Sequence, residues 1–320
     1  MHYARMAEAS VCERRRRYGV ILVWFDLVVH LERRVMLPNF LIIGAMKAGT
    51  TSLYRYLRGH PDVFMPDQKE IRYFVPERAR RSSTPEGQRT QEVGWYEALF
   101  DTADGAIALG EASVDYTAYP KFTGVPERIA RLLPDVRLVY LVRDPIERIR
   151  SQYLYWSAHA TEWDPMEKAV FQSKYLDRSR YAMQIEQYMR WFSKDQLLVV
   201  TSECLETQRM DTLSRVYAFL GVDPDWDHPS LHERYHETSQ MVTPHRGLRR
   251  AIRTPVYRSL GQYIPRGVKN AALTRFSRPT VRDLAPVSSD LRGRLADELR
   301  PDVAALYEYM DPQFDGWGIA

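Results

Sequence analysis

The sequence predicts an α/β protein whose central, mostly parallel sheet is flanked by helices. Short apolar runs with the composition of buried strands alternate with amphipathic segments over much of the 320 residues. Two of these runs lead through a short loop directly into a helix. Strands that alternate with helices in this way form a parallel sheet with helices on both faces.

The first strand, loop and helix lie in residues 39–58. The run NFLIIGA at 39–45 is apolar and ends at a glycine and an alanine, as expected of a buried parallel strand that enters a loop. Residues 50–58 carry apolar side chains at helical spacing, and the sequence GHP at 59–61 ends the predicted helix.

The second such unit begins with the apolar run 136–142, which predicts another buried strand. Asp144 then has the position of a helix N-cap and Pro145 that of the first helical residue, and we expect the helix to reach about Trp156. Both units place a loop at the carboxyl end of a strand, where open α/β sheets bind their ligands.

Two further strands complete the predicted sheet. The run QLLVVTSECL at 196–205 predicts a third buried strand, followed by a helix to about Leu220. A weaker strand candidate lies at 106–112. The polar, turn-rich residues 77–92 are predicted to form a surface loop.

The composition is that of a folded globular protein. Hydrophobic residues make up 45% and charged residues 27% of the chain. The two cysteines, Cys12 and Cys204, lie far apart and predict neither a disulfide framework nor a zinc site. We therefore expect a reducing, cytoplasmic location.

Residues 1–35 are predicted to be an N-terminal extension outside a single domain at 36–320. The apolar run at 18–31 contains Asp26 and is shorter than the roughly 20 residues that span a membrane. One interpretation of the extension is a peripheral helix. The other is that the folded protein begins at Met36.

The loop of the first unit predicts a phosphate site with an unusual lysine. Gly44 and Gly49 have the glycine spacing of a Walker A loop, but the lysine is Lys47, inside the loop, and not the residue after the second glycine. The start of the following helix still offers N–H groups and hydroxyls to an anion. A lysine in this position suits a single 5′-phosphate better than a triphosphate. The predicted phosphate-binding residues are Lys47, Ala48, Gly49, Thr50, Thr51 and Ser52.

The second unit predicts a second phosphate site. Arg143 follows the strand at 136–142, and Ser151 comes eight residues later on the next helix. A guanidinium can bind a phosphate through two parallel hydrogen bonds, and a serine hydroxyl can add a third. Two phosphate sites on neighbouring strands fit a nucleotide that carries both a 5′- and a 3′-phosphate.

These motifs resemble those of the sulfotransferases. GAMKAGTTSLYRYL is similar to the family's 5′-phosphosulfate loop, and LVYLVRDPIERIRSQY to its 3′-phosphate motif. The segments at 67–74, 94–100 and 111–116 resemble, in order, segments of the heparan sulfate branch. The likeness covers about 38–220, and the segment 306–318 is similar to the family's closing helix and tryptophan. The resemblance implies a P-loop-like sulfotransferase fold.

The resemblance also implies a reaction and its residues. The sulfuryl donor is 3′-phosphoadenosine 5′-phosphosulfate (PAPS), the nucleotide product is 3′-phosphoadenosine 5′-phosphate (PAP), and no metal is required. Lys47 is expected to stabilise the charge that grows on the departing 5′-phosphate. Glu70 is expected to be the general base for the acceptor; the alternative is a surface salt bridge with Lys69 or Arg72.

The acceptor is less well defined by the sequence. Lys69, Glu111 and Ser113 are candidate substrate-binding residues, and Glu111 has the alternative of an ordinary ion pair. Ala112 stands where the heparan-type pattern has a lysine, so one basic contact to a sulfated glycan is missing. We expect a small-molecule, glycan or lipid-linked acceptor and no nucleic acid, and the sequence does not predict an oligomeric state.

A basic segment at 246–282 contains nine arginines, one lysine and no acidic residue, in a chain whose net charge is only +4. In one interpretation it folds over the cofactor, and Arg246 joins the 3′-phosphate site. In another it contacts an anionic membrane, where each basic side chain contributes about 1 kcal/mol. The third is a solvated surface.

Several alternatives remain open at this point. A nucleotide kinase or NTPase would share the strand, loop and helix, and a binding module without catalysis would share both phosphate sites. His60 can be interpreted as a base or, more simply, as part of the turn that ends a helix. Tyr153, Tyr155 and Trp156 can stack on an adenine or pack in the core.

Overall fold

The computed structural model describes residues 36–76, 92–159, 161–162, 164–232, 242–244, 277–279 and 286–320, and all structural statements concern these residues. Residue contacts divide the chain into two units, Met1–Leu37 and Pro38–Ala320. Almost all of the first unit lies outside the described residues. The second unit contains the central sheet and its helices.

Five parallel strands form the central sheet, in the order β2-β3-β1-β4-β5. They are β1 (Phe40–Gly44), β2 (Val63–Phe64), β3 (Ala108–Ala112), β4 (Arg137–Val142) and β5 (Leu197–Thr201). Every residue of β1 and β3 is buried, as expected of strands covered on both faces. The predicted α/β fold with a parallel sheet is confirmed. Two short strands, β6 (Val242–Pro244) and β7 (Ser277–Pro279), pair antiparallel elsewhere.

Helices connect these strands and follow them to the end of the chain. They are α1 (Thr50–Gly59), α2 (Val93–Ala98), α3 (Val125–Leu132), α4 (Pro145–Ala158), α5 (Met166–Ala169), α6 (Ser173–Leu176), α7 (Tyr181–Tyr188), α8 (Ser202–Thr207), α9 (Arg209–Leu220) and α10 (Ser289–Leu306). Within the described ranges, no helix combines the length and the apolar composition that crossing a bilayer requires.

The helix after β4 begins as the sequence predicts. The Asp144 carboxylate accepts hydrogen bonds from the N–H groups of Ile146 (2.8 Å) and Glu147 (3.2 Å), and Pro145 is the first helical residue. This cap satisfies two of the N–H groups that a helix start leaves unpaired.

The predicted strand at 196–205 is wrong in its second half. β5 ends at Thr201, because the Thr201 hydroxyl accepts a hydrogen bond from the N–H of Cys204 at 3.1 Å and caps α8. The sequence alone does not show whether Thr201 continues the strand or caps a helix, because element boundaries are the part that local patterns predict least well. The two-residue strand β2 was not predicted at all.

The last helix completes the core on one side of the sheet. Leu291, Leu295 and Leu299 of α10 pack in one cluster with Ile149 of α4 and Tyr175 of α6. The helix α4, which carries Ser151 of the second phosphate motif, therefore packs against the last helix of the chain.

Sheet order decides where a ligand can bind. β1 lies between β3 and β4, so the strand order reverses next to β1. The loops that leave the carboxyl ends of β1 and β4 lead into α1 and α4. Ligands of open α/β sheets bind at such a reversal point.

Candidate active site

A cavity of about 710 Å³ opens at the carboxyl ends of β1 and β4. That volume lies within the range of small-molecule and cofactor sites. The predicted site residues that line it are Lys47, Gly49, Thr50, Thr51, Ser52, Lys69, Glu70, Arg143 and Ser151. The two predicted phosphate motifs and the predicted base therefore share one cavity.

Four predicted site residues are not among the lining residues. The side chain of Ala48 is fully buried in the loop. Glu111 and Ser113 are buried, with 1% and 0% of their surface exposed, and do not line the cavity. Arg246 lies outside the described residues.

The loop of residues 45–49, here called the phosphate loop, turns sharply into α1. Lys47 and Gly49 both have left-handed backbone conformations, with φ of 71° and 93°. Gly49 is the N-cap residue of α1, so the unpaired N–H groups and the positive dipole end of the helix point toward the cavity. This arrangement is a ready anion site.

Lys47 extends from the phosphate loop toward α4. Its ammonium lies 4.8 Å from the centre of the Tyr155 ring, close enough for a cation–π contact. Of the three aromatic residues predicted either to stack on an adenine or to pack in the core, only Tyr155 lines the cavity. Tyr153 and Trp156 pack against the cluster beneath α4.

A buried arginine that the sequence analysis did not single out connects the two motifs. Arg148 of α4 is fully buried, and burial lowers the pKa of its guanidinium to about 10. Its Nη1 donates to the carbonyl of Met46 in the phosphate loop (3.3 Å) and to Gln152 (2.6 Å). Its Nε donates to Ser179 (2.6 Å) and its Nη2 to the Tyr175 carbonyl (2.7 Å). Only its place in RDPIERIRSQY could have drawn attention to it.

Glu70 and Lys69 also line the cavity, next to the start of α1. The Lys69 ammonium lies 3.0 Å from Glu70 Oε1 and donates to the Thr50 hydroxyl at 3.3 Å. The other Glu70 oxygen accepts a hydrogen bond from the N–H of Val114 at 3.0 Å. One lysine thus bridges the predicted base and the helix start that is predicted to bind the 5′-phosphate.

Glu111 belongs to a buried hydroxyl cluster behind Glu70. Its carboxylate accepts hydrogen bonds from Ser113 (2.8 Å), Tyr96 (3.2 Å) and Tyr116. Burial raises the pKa of Glu111 from 4.5 to about 7; the hydroxyl donors oppose this rise and the nearby charge of Glu70 adds to it.

Two arginines meet one carboxylate beside the base. One Asp115 oxygen forms an ion pair with Arg72 Nε at 2.8 Å, and the other accepts a hydrogen bond from Arg178 Nη2 at 2.5 Å. Burial by itself would raise the pKa of Asp115, but Arg178 and Arg72 together bring it below its usual value. Arg72 and Asp115 line the cavity, so this end carries fixed charge of both signs.

Two more residues that line the cavity follow β5 in the chain. Ser202 begins α8, and Arg209 of α9 places its guanidinium 5.0 Å from the Tyr56 ring while Nη1 donates to the Leu231 carbonyl at 2.7 Å. From the sequence, its place directly after a strand makes Ser202 only a weak nucleotide-site candidate, and Arg209 has no pattern that marks it as a site residue. Ser202 directly follows β5 and Arg209 begins α9, so the position of β5 beside β4 brings both residues to the cavity.

His60 has a structural position. It is 2% exposed, accepts a hydrogen bond from the N–H of Asp62 at 3.1 Å and lies against Tyr217 and Trp226. It is remote from the cavity lining, as the interpretation as a turn residue expects. In the part of the chain that the structure describes, no group of histidine, cysteine and acidic residues could hold a metal ion.

Comparisons with known proteins identify the family of this chain. The sulfotransferase family model matches residues 38–228. The chain is 27% identical over 214 residues to the bifunctional heparan sulfate N-deacetylase/N-sulfotransferase 4 of Mus musculus, covering 60% of this chain and 23% of that protein. It is 30% identical over 204 residues to heparan sulfate glucosamine 3-O-sulfotransferase 3A1 of Homo sapiens, covering 60% of this chain and 46% of that one. The chain therefore spans less than half the length of these two relatives.

A solved structure gives the same result over a greater length. The fold superposes on the crystal structure of a sulfotransferase from Alicyclobacillus acidocaldarius with a TM-score of 0.62 and 25% identity. That match covers 89% of this chain and 100% of the other. With a family model that matches more than half of its length, and with the paired phosphate motifs in one cavity, this chain belongs to the sulfotransferase family.

Proposed function

We propose that this protein transfers a sulfuryl group from PAPS to a hydroxyl, or less readily an amine, of a carbohydrate, glycolipid or small-molecule acceptor by in-line displacement. The observation that carries the proposal is the bridge made by Lys69. It joins Glu70 to Thr50, so the predicted base stands next to the predicted 5′-phosphate site. A transferase needs the base that activates its acceptor to lie next to the site that binds its donor.

The residues of the cavity fit a nucleotide with two separated phosphate groups. The helix start at Gly49 and the pair Arg143 and Ser151 come from two different strand–loop–helix units and line the same cavity. The lining includes five arginine and lysine side chains against three carboxylates, which favours an anionic ligand. The lining cations are Lys47, Lys69, Arg72, Arg143 and Arg209. When bound, PAPS supplies an activated sulfuryl group on its 5′-phosphate.

The proposed roles follow from these positions. Lys47 and the N–H groups at the start of α1 stabilise the negative charge that grows on the 5′-phosphate. Glu70 accepts the proton of the acceptor hydroxyl, and Lys69, whose ammonium lies 3.0 Å from Glu70 Oε1, orients that carboxylate. Arg143 and Ser151 bind the 3′-phosphate. Catalysis then rests on position and electrostatics, without a metal.

Calorimetric titration of PAP into the purified protein without Mg²⁺ tests the nucleotide assignment. We expect binding that prefers PAP over ATP and that weakens in Lys47→Ala and Arg143→Ala. Arg131→Ala is the matched control, because Arg131 is 72% exposed on α3 and lies outside the cavity. A preference for Mg²⁺ATP would favour a kinase or NTPase, and PAP binding without turnover would favour a binding module.

A panel of acceptors with radiolabelled PAPS tests the transfer itself. The relatives named above are heparan sulfate enzymes, so we propose a carbohydrate acceptor and would begin with heparan-type glycans beside neutral glycans and glycolipids. Glu70→Gln keeps the shape of the side chain and removes its basicity; we expect its rate to fall about 10²- to 10⁴-fold while PAP still binds. An unchanged rate would remove Glu70 from the mechanism.

The proposed location is cytoplasmic, with peripheral membrane contact through 246–282 as an alternative. That segment lies outside the described residues except for 277–279. Cell fractionation of the full chain, beside a chain in which the arginines of 246–258 are replaced by glutamine, separates the two locations.

A further inference from the structure

The residues around the predicted base have an unusual backbone. Glu70 and Arg72 both have left-handed conformations, with φ of 61° and 59°. Residues with a Cβ seldom adopt this region, and each instance costs about 1–3 kcal/mol. Such a backbone persists only where its surroundings hold it in place. We call residues 69–72 the base segment.

Three hydrogen bonds from the end of β3 hold the base segment. The Glu70 N–H donates to the Ala112 carbonyl (2.9 Å), and the Val114 N–H donates to the Glu70 carboxylate (3.0 Å). Between them, the Arg72 N–H donates to the Ser113 hydroxyl at 2.9 Å. Of these three bonds, only the last depends on a side chain of the residues that follow β3, so a substitution there can remove it alone.

Ser113 is in turn oriented by Glu111. The Ser113 hydroxyl donates its proton to Glu111 Oε2 at 2.8 Å, which leaves its lone pair for the N–H of Arg72. The hydroxyls of Tyr96 and Tyr116 fix the other Glu111 oxygen. Glu111 and Ser113 are buried, so their contribution to a reaction cannot come from touching an acceptor.

We propose that Ser113 and Glu111 are positioning residues, which hold the base segment so that the Glu70 carboxylate faces the acceptor side of the cavity. This assignment replaces the predicted substrate contact for both residues, and it rests on the proposed function in that Glu70 is the base. Ser113 acts directly on the backbone of Arg72, and Glu111 acts through Ser113.

The first test measures turnover and nucleotide binding in Ser113→Ala, with the acceptor that gives wild-type protein its highest rate in the panel. We expect kcat to fall about 10- to 100-fold, because misplacing a catalytic group by about 1 Å costs as much as 10²-fold. KM for PAPS and the Kd of PAP should stay within about twofold, since the phosphate loop keeps its contacts. An unchanged kcat would overturn the proposal, and so would an equal loss of PAP binding.

The matched control is Thr212→Val. Thr212 of α9 is 3% exposed, and its hydroxyl donates to the carbonyl of Gln208, the N-cap residue of that helix, at 2.8 Å. This variant also loses one buried hydroxyl. We expect its stability to fall but its kcat to stay at the wild-type value, which separates positioning from general destabilisation.

A double-mutant cycle tests the order of the two residues. If Glu111 acts through Ser113, Glu111→Gln lowers kcat, and the double variant with Ser113→Ala loses no more than the larger single loss. Losses that multiply would overturn this order. A merely structural role for each residue changes stability and leaves the kcat of the folded variants at the wild-type value.

Hydrogen exchange gives a result that does not depend on any reaction. In Ser113→Ala we expect faster exchange in peptides that cover 67–76 and no change in peptides that cover 46–57. Unchanged exchange at 67–76 would overturn the proposal even in an active enzyme. If wild-type protein binds no PAP and sulfates no acceptor, the proposed function fails, and the exchange result still decides whether Ser113 holds this segment.

Discussion

Replacing Arg148 with lysine tests how far the two phosphate motifs depend on one buried side chain. Arginine makes four hydrogen bonds in three directions, to Met46, Gln152, Ser179 and the carbonyl of Tyr175. Lysine keeps the charge but has its three donors on a single nitrogen. It cannot reach all four partners.

The expected loss can be worked from these contacts. Each hydrogen bond to a charged group contributes about 1.5–3 kcal/mol, and lysine loses two or three of the four. Partial repacking and water entry reduce the sum, so we expect Arg148→Lys to lower the free energy of unfolding by about 3–5 kcal/mol. Domains have stabilities of about 5–15 kcal/mol, so a domain above the lower end of that range would still fold.

Urea unfolding, followed with and without PAP, measures the effect. Because one lost partner is the Met46 carbonyl of the phosphate loop, PAP affinity should fall as well. Arg131→Lys is the control: Arg131 is 72% exposed and pairs with Glu127 on α3, so its change should stay below about 1 kcal/mol. A loss in Arg148→Lys as small as that of the control would refute the reasoning, and so would a large loss of stability with unchanged PAP binding.

Three further predictions concern single positions. Gly49→Ala places a Cβ at φ 93°, at a strain of about 1–2 kcal/mol, and calorimetry should show PAP binding weakened about tenfold. Folding raises the pKa of Glu111 from 4.5 to about 7, so its neutral form stabilises the fold fully below pH 4.5, and this contribution is lost as the pH rises through about 7. The total loss is roughly 3 kcal/mol in the free energy of unfolding. Urea unfolding of Glu111→Gln at several pH values should not show this loss. His60→Phe should lower stability by about 1–3 kcal/mol through two lost hydrogen bonds, and the transfer rate measured with labelled PAPS should not change.

The parts of the site that the sequence predicted are those that local pattern determines. A strand that ends in glycine, followed by hydroxyl residues and helical spacing, predicts a phosphate loop because all of its groups are neighbours in the chain. Arg143 and Ser151 could be assigned in the same way. The structure places these residues around one cavity, which the sequence could state only as a consequence of neighbouring strands.

The parts that the sequence did not predict depend on contacts between distant residues. The sequence predicted that Glu111 and Ser113 bind the substrate, yet both side chains are buried. The hydroxyls of Tyr96 in α2 and of Tyr116 in the turn after β3 donate to the Glu111 carboxylate. Arg148 looks like one more basic residue of a surface helix, but its contacts with Met46, Tyr175 and Ser179 bury it. Neither burial has a signature in the local sequence, because the covering residues lie elsewhere in the chain.

The position of the lysine in the phosphate loop also has a physical consequence. In a Walker A loop the lysine follows the second glycine and reaches the β- and γ-phosphates from the helix start. Here Lys47 precedes Gly49, has a left-handed backbone, and reaches instead over Tyr155 on the helix that carries Ser151. Its charge therefore lies between the two proposed phosphate sites. A triphosphate that extends past the helix start would place its β- and γ-phosphates out of reach of Lys47. On this geometry we expect the Lys47→Ala variant to lose discrimination between PAP and ATP as well as affinity, and calorimetry with both nucleotides would reveal an equal loss for each if the reasoning is wrong.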